Sequence, residues 1–392
     1  MEKLKRRFSS IPLPTFEGVL VPILAVVAAL LVGALFIFSL HPEWSFVPRL
    51  QQVGDAYGAL WRSTFGSTRS FLATLVEMIP LTFTGLAVAL AFRSGLFNIG
   101  GEGQYLVGQM ATAVVGYSVV GLSPWLHIPL VLLAGFAAGG LWAFLPGLLK
   151  ARFGIHEVIN TIMMNYIALY FVHWLLQNHL KDPTTLVPRT PVISSSAVLP
   201  LLVPNTRFHL GFLLALLAAL AVYYLLWRTT SGYEIRAVGL SPQAAEYAGI
   251  SVPRNLILAM VLSGALAGLA GAVQVSGVQT AYYDALGFVG YGFNGIAVAL
   301  LGRNHPFGVV VGALLFGALS RGAVSMQAVA NVPKSVIGVV QAAIIFFVAA
   351  EAIFRVLVPR VWRDRIPGPG GSQAPHTGTT NETPATEGGA GR

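Results

Sequence analysis

The chain has 392 residues, 55% of them hydrophobic and only 10% charged, with a mean hydropathy of +0.72. Soluble domains carry about 25% charged residues, so composition places the protein in the membrane class before any motif is read. It has no cysteine, which excludes disulfides, thiolate metal sites, iron–sulfur clusters and cysteine nucleophiles.

A basic arm, 1–18, opens the chain with Lys3, Lys5, Arg6 and Arg7. The apolar run 19–40 follows; it is too long for a signal-peptide core and is expected to be a retained first helix. A helix needs about 20 apolar residues to cross hydrocarbon. Further runs lie at 71–92, 105–122, 128–149, 157–177, 209–227, 256–277, 306–323 and 335–357, with a shorter one, 286–302, broken by Gly287, Gly290, Gly292 and Gly295. The predicted fold is therefore an all-α polytopic membrane protein with about ten transmembrane helices, forming a membrane domain over 19–358. The Pro/Gly/Thr-rich tail, 359–392, is basic at first and then expected to be disordered.

With the N-terminus inside and ten crossings, 16 of the 24 Lys and Arg residues fall on the inside. That bias explains the net charge of +9 without nucleic acid, and places both termini in the cytoplasm. Two loops, 41–70 and 178–208, then lie outside, the second stiffened by Pro183, Pro188, Pro191, Pro200 and Pro204. One long loop, 228–254, lies inside. Within it Ser241 suits an N-cap, Pro242 a first helical position and Gly249 a stop, which predicts a short helix over 242–248; a plain surface turn is the alternative. Glycine pairs four apart, Gly135/Gly139, Gly264/Gly268 and Gly308/Gly312, suit close helix packing.

The segment 93-RSGLFNIGGEGQYLVGQ-109 breaks the apolar pattern with five glycines and a run of polar groups. Irregular backbone at membrane depth survives only where protein or a wet cavity satisfies it. If the segment enters the membrane, Asn98, Glu102 and Gln104 line such a cavity; if not, it is a cytoplasmic hairpin loop. Asn294, in the broken 287–295 stretch, follows the same logic. Other polar residues in or beside the spans are Glu77, Gln109, Glu157, Asn160, Asn165, Gln274, Gln279, Asp284, Gln341 and Glu351. For Glu77, Glu157, Gln341 and Glu351 an interhelical bond or a headgroup position is the favoured reading. Phe97, Tyr105, Phe288, Tyr291 and Phe293 can offer flat faces to a ring, although core packing explains each as well.

Enzymatic chemistry finds no support. The chain has no phosphate-binding GxxxxGK[ST] loop, no HExxH, four scattered Asp residues and no histidine pair at metal spacing. Neither a metal nor a cofactor is expected. Amides and hydroxyls dominate the intramembrane polar set, which suits a neutral polar solute such as a sugar or nucleoside.

Four stretches, 85-GLAVALAFRSGLFNIGGEGQYLVGQ-109, 155-IHEVINTIMMNYIALY-170, 233-YEIRAVGLSPQAAEYAGI-250 and 291-YGFNGIAVALLGRNHPFG-308, resemble the permease subunits of bacterial ABC importers. The likeness is to the nucleoside and simple-sugar group related to ribose and branched-chain amino acid permeases. It implies a bacterial plasma-membrane protein that pairs with a second permease, often a different one. It implies a cytoplasmic ATPase docked on 228–254, so that Pro242, Gln243, Ala244, Ala245, Glu246, Tyr247 and Ala248, ended by Gly249, are a coupling helix. An external substrate-binding lipoprotein would deliver solute near 178–208. The expected pathway residues are Phe97, Asn98, Glu102, Gln104, Asn165, Gln274 and Asn294. The competing reading is an ion-driven nucleoside or sugar carrier, with Glu102 as its proton-cycling group.

Overall fold

The computed structural model describes residues 16–284 and 287–349. The expected arm up to residue 15, the tail 359–392 and Glu351 lie outside the described residues. Leu20–Ala349 form one compact unit, built from α1 (Phe16–Phe38), α2 (Phe46–Phe65), α3 (Thr68–Arg93), α4 (Gly101–Ser118), α5 (Pro124–Phe153), α6 (Glu157–Leu175), α7 (Gly211–Arg228), α8 (Thr230–Leu240), α9 (Pro242–Tyr247), α10 (Val252–Gln274), α11 (Tyr291–Leu301), α12 (Pro306–Ala330) and α13 (Ser335–Ala349). One-turn π-helices extend α6 over Leu176–Leu180 and α10 over Val275–Gln279. No strand occurs among the described residues.

Among the described residues six helices are long and apolar enough to cross a membrane: α3, α5, α6 with its extension, α7, α10 with its extension, and α12. Of the other expected crossings, α4 is more polar and α11 shorter because glycines and polar side chains cut into them, while α1 and α13 border residues outside the described ones.

α3 is the central helix. Ser67 Oγ caps its start by accepting the Ser70 N–H at 3.1 Å, and every residue from Met78 to Ala91 is buried. A helix apolar on all faces is buried on all faces, and α2, α7, α10, α11 and α12 surround it. The glycine pairs act as close-packing sites. A Cβ on Gly139 or Gly268 would sit 2.7–2.8 Å from the other's Cα, so α5 and α10 meet backbone to backbone. Gly308 packs in the same way on the turn at Gly302, where a Cβ would lie 2.9 Å from the Gly302 Cα.

Two loops differ from expectation. The 41–70 stretch contains the twenty-residue α2. Its small face, with buried Gln52, Ala56, Ala59 and Thr64, lies on α12, and Tyr57 donates to the Leu30 carbonyl at 2.6 Å. Tertiary packing of an amphipathic face makes this helix, since its sequence is too polar to stand out as an apolar run. The 228–254 stretch is helical in both halves. Thr229 Oγ1 caps α8 by accepting from Gly232 N at 3.1 Å, and Ser241 Oγ caps α9 by accepting from Ala244 N at 3.3 Å. α9 stops before Gly249, whose φ of +80° a glycine adopts without steric cost.

The 178–208 loop is not free. Its backbone bonds to the segment after α10: Thr190 N to Tyr282 O at 3.0 Å and Ile193 N to Thr280 O at 2.9 Å. Asp182 ties the loop internally, accepting from the Thr184 hydroxyl at 2.6 Å and pairing with Arg189 at 3.4 Å. The Thr184 bonds, and then Arg189, hold the Asp182 carboxyl below the usual carboxylate range.

Candidate functional site

α3 ends at Arg93, and Gly95, with φ +76°, turns the chain back. Arg93 Nε donates to the Asn304 carbonyl at 3.0 Å, just past the C-terminus of α11. At the other end of α11, Thr84 Oγ1 donates to the Tyr291 carbonyl at 2.9 Å. The eleven residues of α11 span about 16 Å at 1.5 Å each. Residues 94–100 climb that distance, because Glu102, at the start of α4, meets the N-terminus of α11. The segment therefore enters the bundle; it is not a hairpin loop lying on its end.

Inside the bundle this irregular backbone is satisfied by a closed set of side chains. Asn98 Oδ1 accepts from Gly100 N at 2.9 Å and from Gln104 Nε2 at 3.2 Å. Asn98 Nδ2 donates to Gln104 Oε1 at 3.0 Å and to Ser263 Oγ at 2.8 Å. Ser263 passes its own proton to the Ala87 carbonyl at 2.7 Å. Asn165 accepts from Gly103 N at 2.8 Å and donates to Ile99 O at 2.9 Å, while Thr161 Oγ1 accepts from Ile99 N at 3.3 Å. Glu102 accepts from Gly290 N with one oxygen and from Gly292 N with the other, both at 2.6 Å. It stands in the first turn of α4 and at the start of α11, so its carboxyl group faces two helix N-termini, where negative charge is favoured. Gly292 must be a glycine: a Cβ there would sit 2.5 Å from the Glu102 Cα.

The turn at Arg93–Gly95 is also where α8 arrives. A Cβ on Gly239 would lie 2.9 Å from Gly95 N, so the two backbones touch. The Arg93 and Arg236 guanidinium groups lie 5.3 and 5.8 Å from the Trp227 ring centroid, within cation–π range. Burial, and then the Arg93 charge, push the neighbouring His305 imidazole below its ordinary value. α9 follows α8 directly; in it Ala245 is buried, whereas Tyr247 is 94% exposed.

The sequence-predicted pathway residues fall into two groups. Asn98, Glu102, Gln104 and Asn165 are all 1% exposed or less and are bonded as above. Phe97, Gln274 and Asn294 are half-buried; Phe97 lies against Phe92, ring centroids 4.7 Å apart. Ser263, Thr161 and Thr84 escaped the sequence reading, since a hydroxyl in an apolar helix carries no distinctive pattern. Of the residues read there as interhelical, Glu157 pairs with Lys150 at 2.8 Å, Gln341 bonds Ser320 at 3.4 Å, and Glu77 accepts from the Tyr291 hydroxyl at 3.0 Å. Among the described residues no group of three His, Asp or Glu side chains could hold a metal. An apolar groove of about 560 Å³ runs along α6, lined by Met163, Tyr166, Ile167, Tyr170, Phe171 and Trp174.

Comparison with known proteins gives the family of the chain. Residues 70–349 match the family described as branched-chain amino acid transport system / permease component. The guanosine ABC transporter permease protein NupP of Bacillus subtilis is 45% identical over 349 residues, covering 87% of this chain and 96% of the relative. The glucose ABC transporter permease protein TsgB13 of Haloferax volcanii is 34% identical, covering 83% and 86%. A second guanosine permease of B. subtilis, NupQ, is 29% identical, covering 62% and 78%. No solved structure matches. The chain thus belongs to the permease-component family of branched-chain amino acid transport systems.

Proposed function

We propose that this chain is the membrane permease of an ATP-driven importer for nucleosides or related simple sugars. The 45% identity that spans nearly the whole guanosine permease carries this reading. In this reading the protein sits in the bacterial plasma membrane, crosses it ten times and keeps both ends inside. NupP and NupQ are two unlike permeases named for the same solute, which supports a heterodimer enclosing the pathway. A separate ATPase supplies the energy and an external lipoprotein delivers the solute.

The geometry supports a specific route for that energy. The ATPase docks on α9, through Pro242, Gln243, Ala244, Glu246, Tyr247 and Ala248, with Ala245 fixing the helix from below and Gly249 releasing the chain. Movement of α9 and α8 reaches Gly239, which is in backbone contact with Gly95 at the foot of the broken segment. That segment is rigidly knotted by Asn98, Gln104 and Asn165 and is joined to α11 by Glu102. The α8–α9 pair can therefore move α4 and α11 together. Phe97, Gln274 and Asn294, half-buried beside these elements, face the solute, while the fully buried residues hold the wall.

The test is uptake of labelled guanosine by proteoliposomes holding the assembled permeases, ATPase and lipoprotein. Uptake is expected only with ATP inside. Uptake that follows a proton gradient and ignores ATP would establish the ion-driven carrier instead.

A further inference from the structure

A second set of polar side chains lies near the N-terminus of α11 and is not closed. Glu77 of α3 accepts from the Tyr291 hydroxyl at 3.0 Å with one carboxyl oxygen. The Tyr291 ring leans on Tyr105, centroids 5.6 Å apart. Gln109 Nε2 donates to the Tyr105 hydroxyl at 3.1 Å and to Gln279 Oε1 at 2.9 Å. The string thus joins α3, α11, α4 and the π-turn that ends α10. π-turns of this kind concentrate at functional sites.

Its two ends are free. The second oxygen of Glu77 and the Nε2 of Gln279 make no hydrogen bond among the described residues, and both side chains are half-buried rather than enclosed. If these residues served only to pack helices, the bonds would close on one another, as they do around Asn98, since an unpaired polar group in hydrocarbon costs several kcal/mol. An acceptor at one end, a donor at the other and the half-buried Tyr291 between them suit a solute carrying several hydroxyls.

We propose that Glu77, Tyr291 and Gln279, with Gln109 positioning Gln279, form a solute-contacting station that recognises hydroxyls of a sugar ring. The free Glu77 oxygen accepts from one hydroxyl of the ring and Gln279 Nε2 donates to another. This inference rests on the importer reading, and it specifies the part of the solute that the permease itself senses.

The natural absence of cysteine makes the test direct. Gln279→Cys is introduced into the assembled transporter and modified with a methanethiosulfonate reagent, and labelling of this chain is followed by mass spectrometry. Guanosine is expected to slow labelling at least about threefold, whereas 2′,3′-dideoxyguanosine does not. In proteoliposomes, Glu77→Gln is expected to cut ATP-driven guanosine uptake about tenfold, the scale of one charge-assisted bond. Glu77→Gln should still assemble with the second permease and melt as the parent does. Equal protection by both nucleosides, protection by neither while Gln279→Cys itself transports guanosine, or a Glu77→Gln uptake rate equal to the parent's would overturn the station alone. Absence of ATP-driven uptake by the parent would sink the importer reading and this one with it.

Discussion

Two polar clusters lie within the same bundle and share its central helices, yet they differ in one respect. Around Asn98 the acceptors and donors close on each other, and no member side chain is more than 1% exposed. Around Glu77 the string runs between half-buried ends whose outer atoms, the second Glu77 oxygen and Gln279 Nε2, make no hydrogen bond among the described residues. Both are amides, hydroxyls and carboxyls in apolar helices, so composition treats them alike. Bond saturation separates them: a closed cluster fixes backbone, and an open one leaves groups for something else to bind. The polar side chains of the Gly-rich segment, expected along the pathway, are buried and hydrogen-bonded to the broken chain.

The sharpest way to break this contrast is Glu102→Leu. It leaves the N–H groups of half-buried Gly290 and buried Gly292 unpaired, at about 1–3 kcal/mol for the buried one, and detaches α11 from α4. Assembly is expected to fail or the melting temperature to drop steeply, as read by fluorescence-detected gel filtration; a variant as stable as the parent would show that the carboxyl is not a clamp. Asn98→Leu comes next. It removes an amide that makes four bonds and is expected to cost about 2–4 kcal/mol, so transport falls because the protein is destabilised. Lost uptake at full stability would instead place Asn98 on the solute route. Smallest is Asn294→Leu. Its half-buried side chain makes no hydrogen bond among the described residues, so thermal stability is expected to stay within about 0.5 kcal/mol while the half-saturation for the transported nucleoside rises. A marked loss of stability would move Asn294 into the closed class.

Much of the fold was legible from local signals. Apolar runs marked the long helices, Ser241 and Pro242 marked the start of α9, and glycines four apart marked the contact of α5 with α10. α2 was missed because its helical state depends on a face packed against α12, which no local pattern reveals. The site was legible in part. Glycines at 95–103 and 287–295 showed where helices break, and the polar list already contained Glu77, Gln109 and Gln279. Their grouping was hidden because Glu77 and Tyr291 are 214 residues apart and Gln109 and Gln279 are 170 apart.

By itself, then, the sequence determined the solvent this protein lives in, where its helices run and where they are interrupted, since hydrophobicity, capping and glycine flexibility act over a few residues. Only the tertiary structure decided which polar groups satisfy each other and which stay open, because a hydrogen bond depends on distances set by helices that meet across the whole chain.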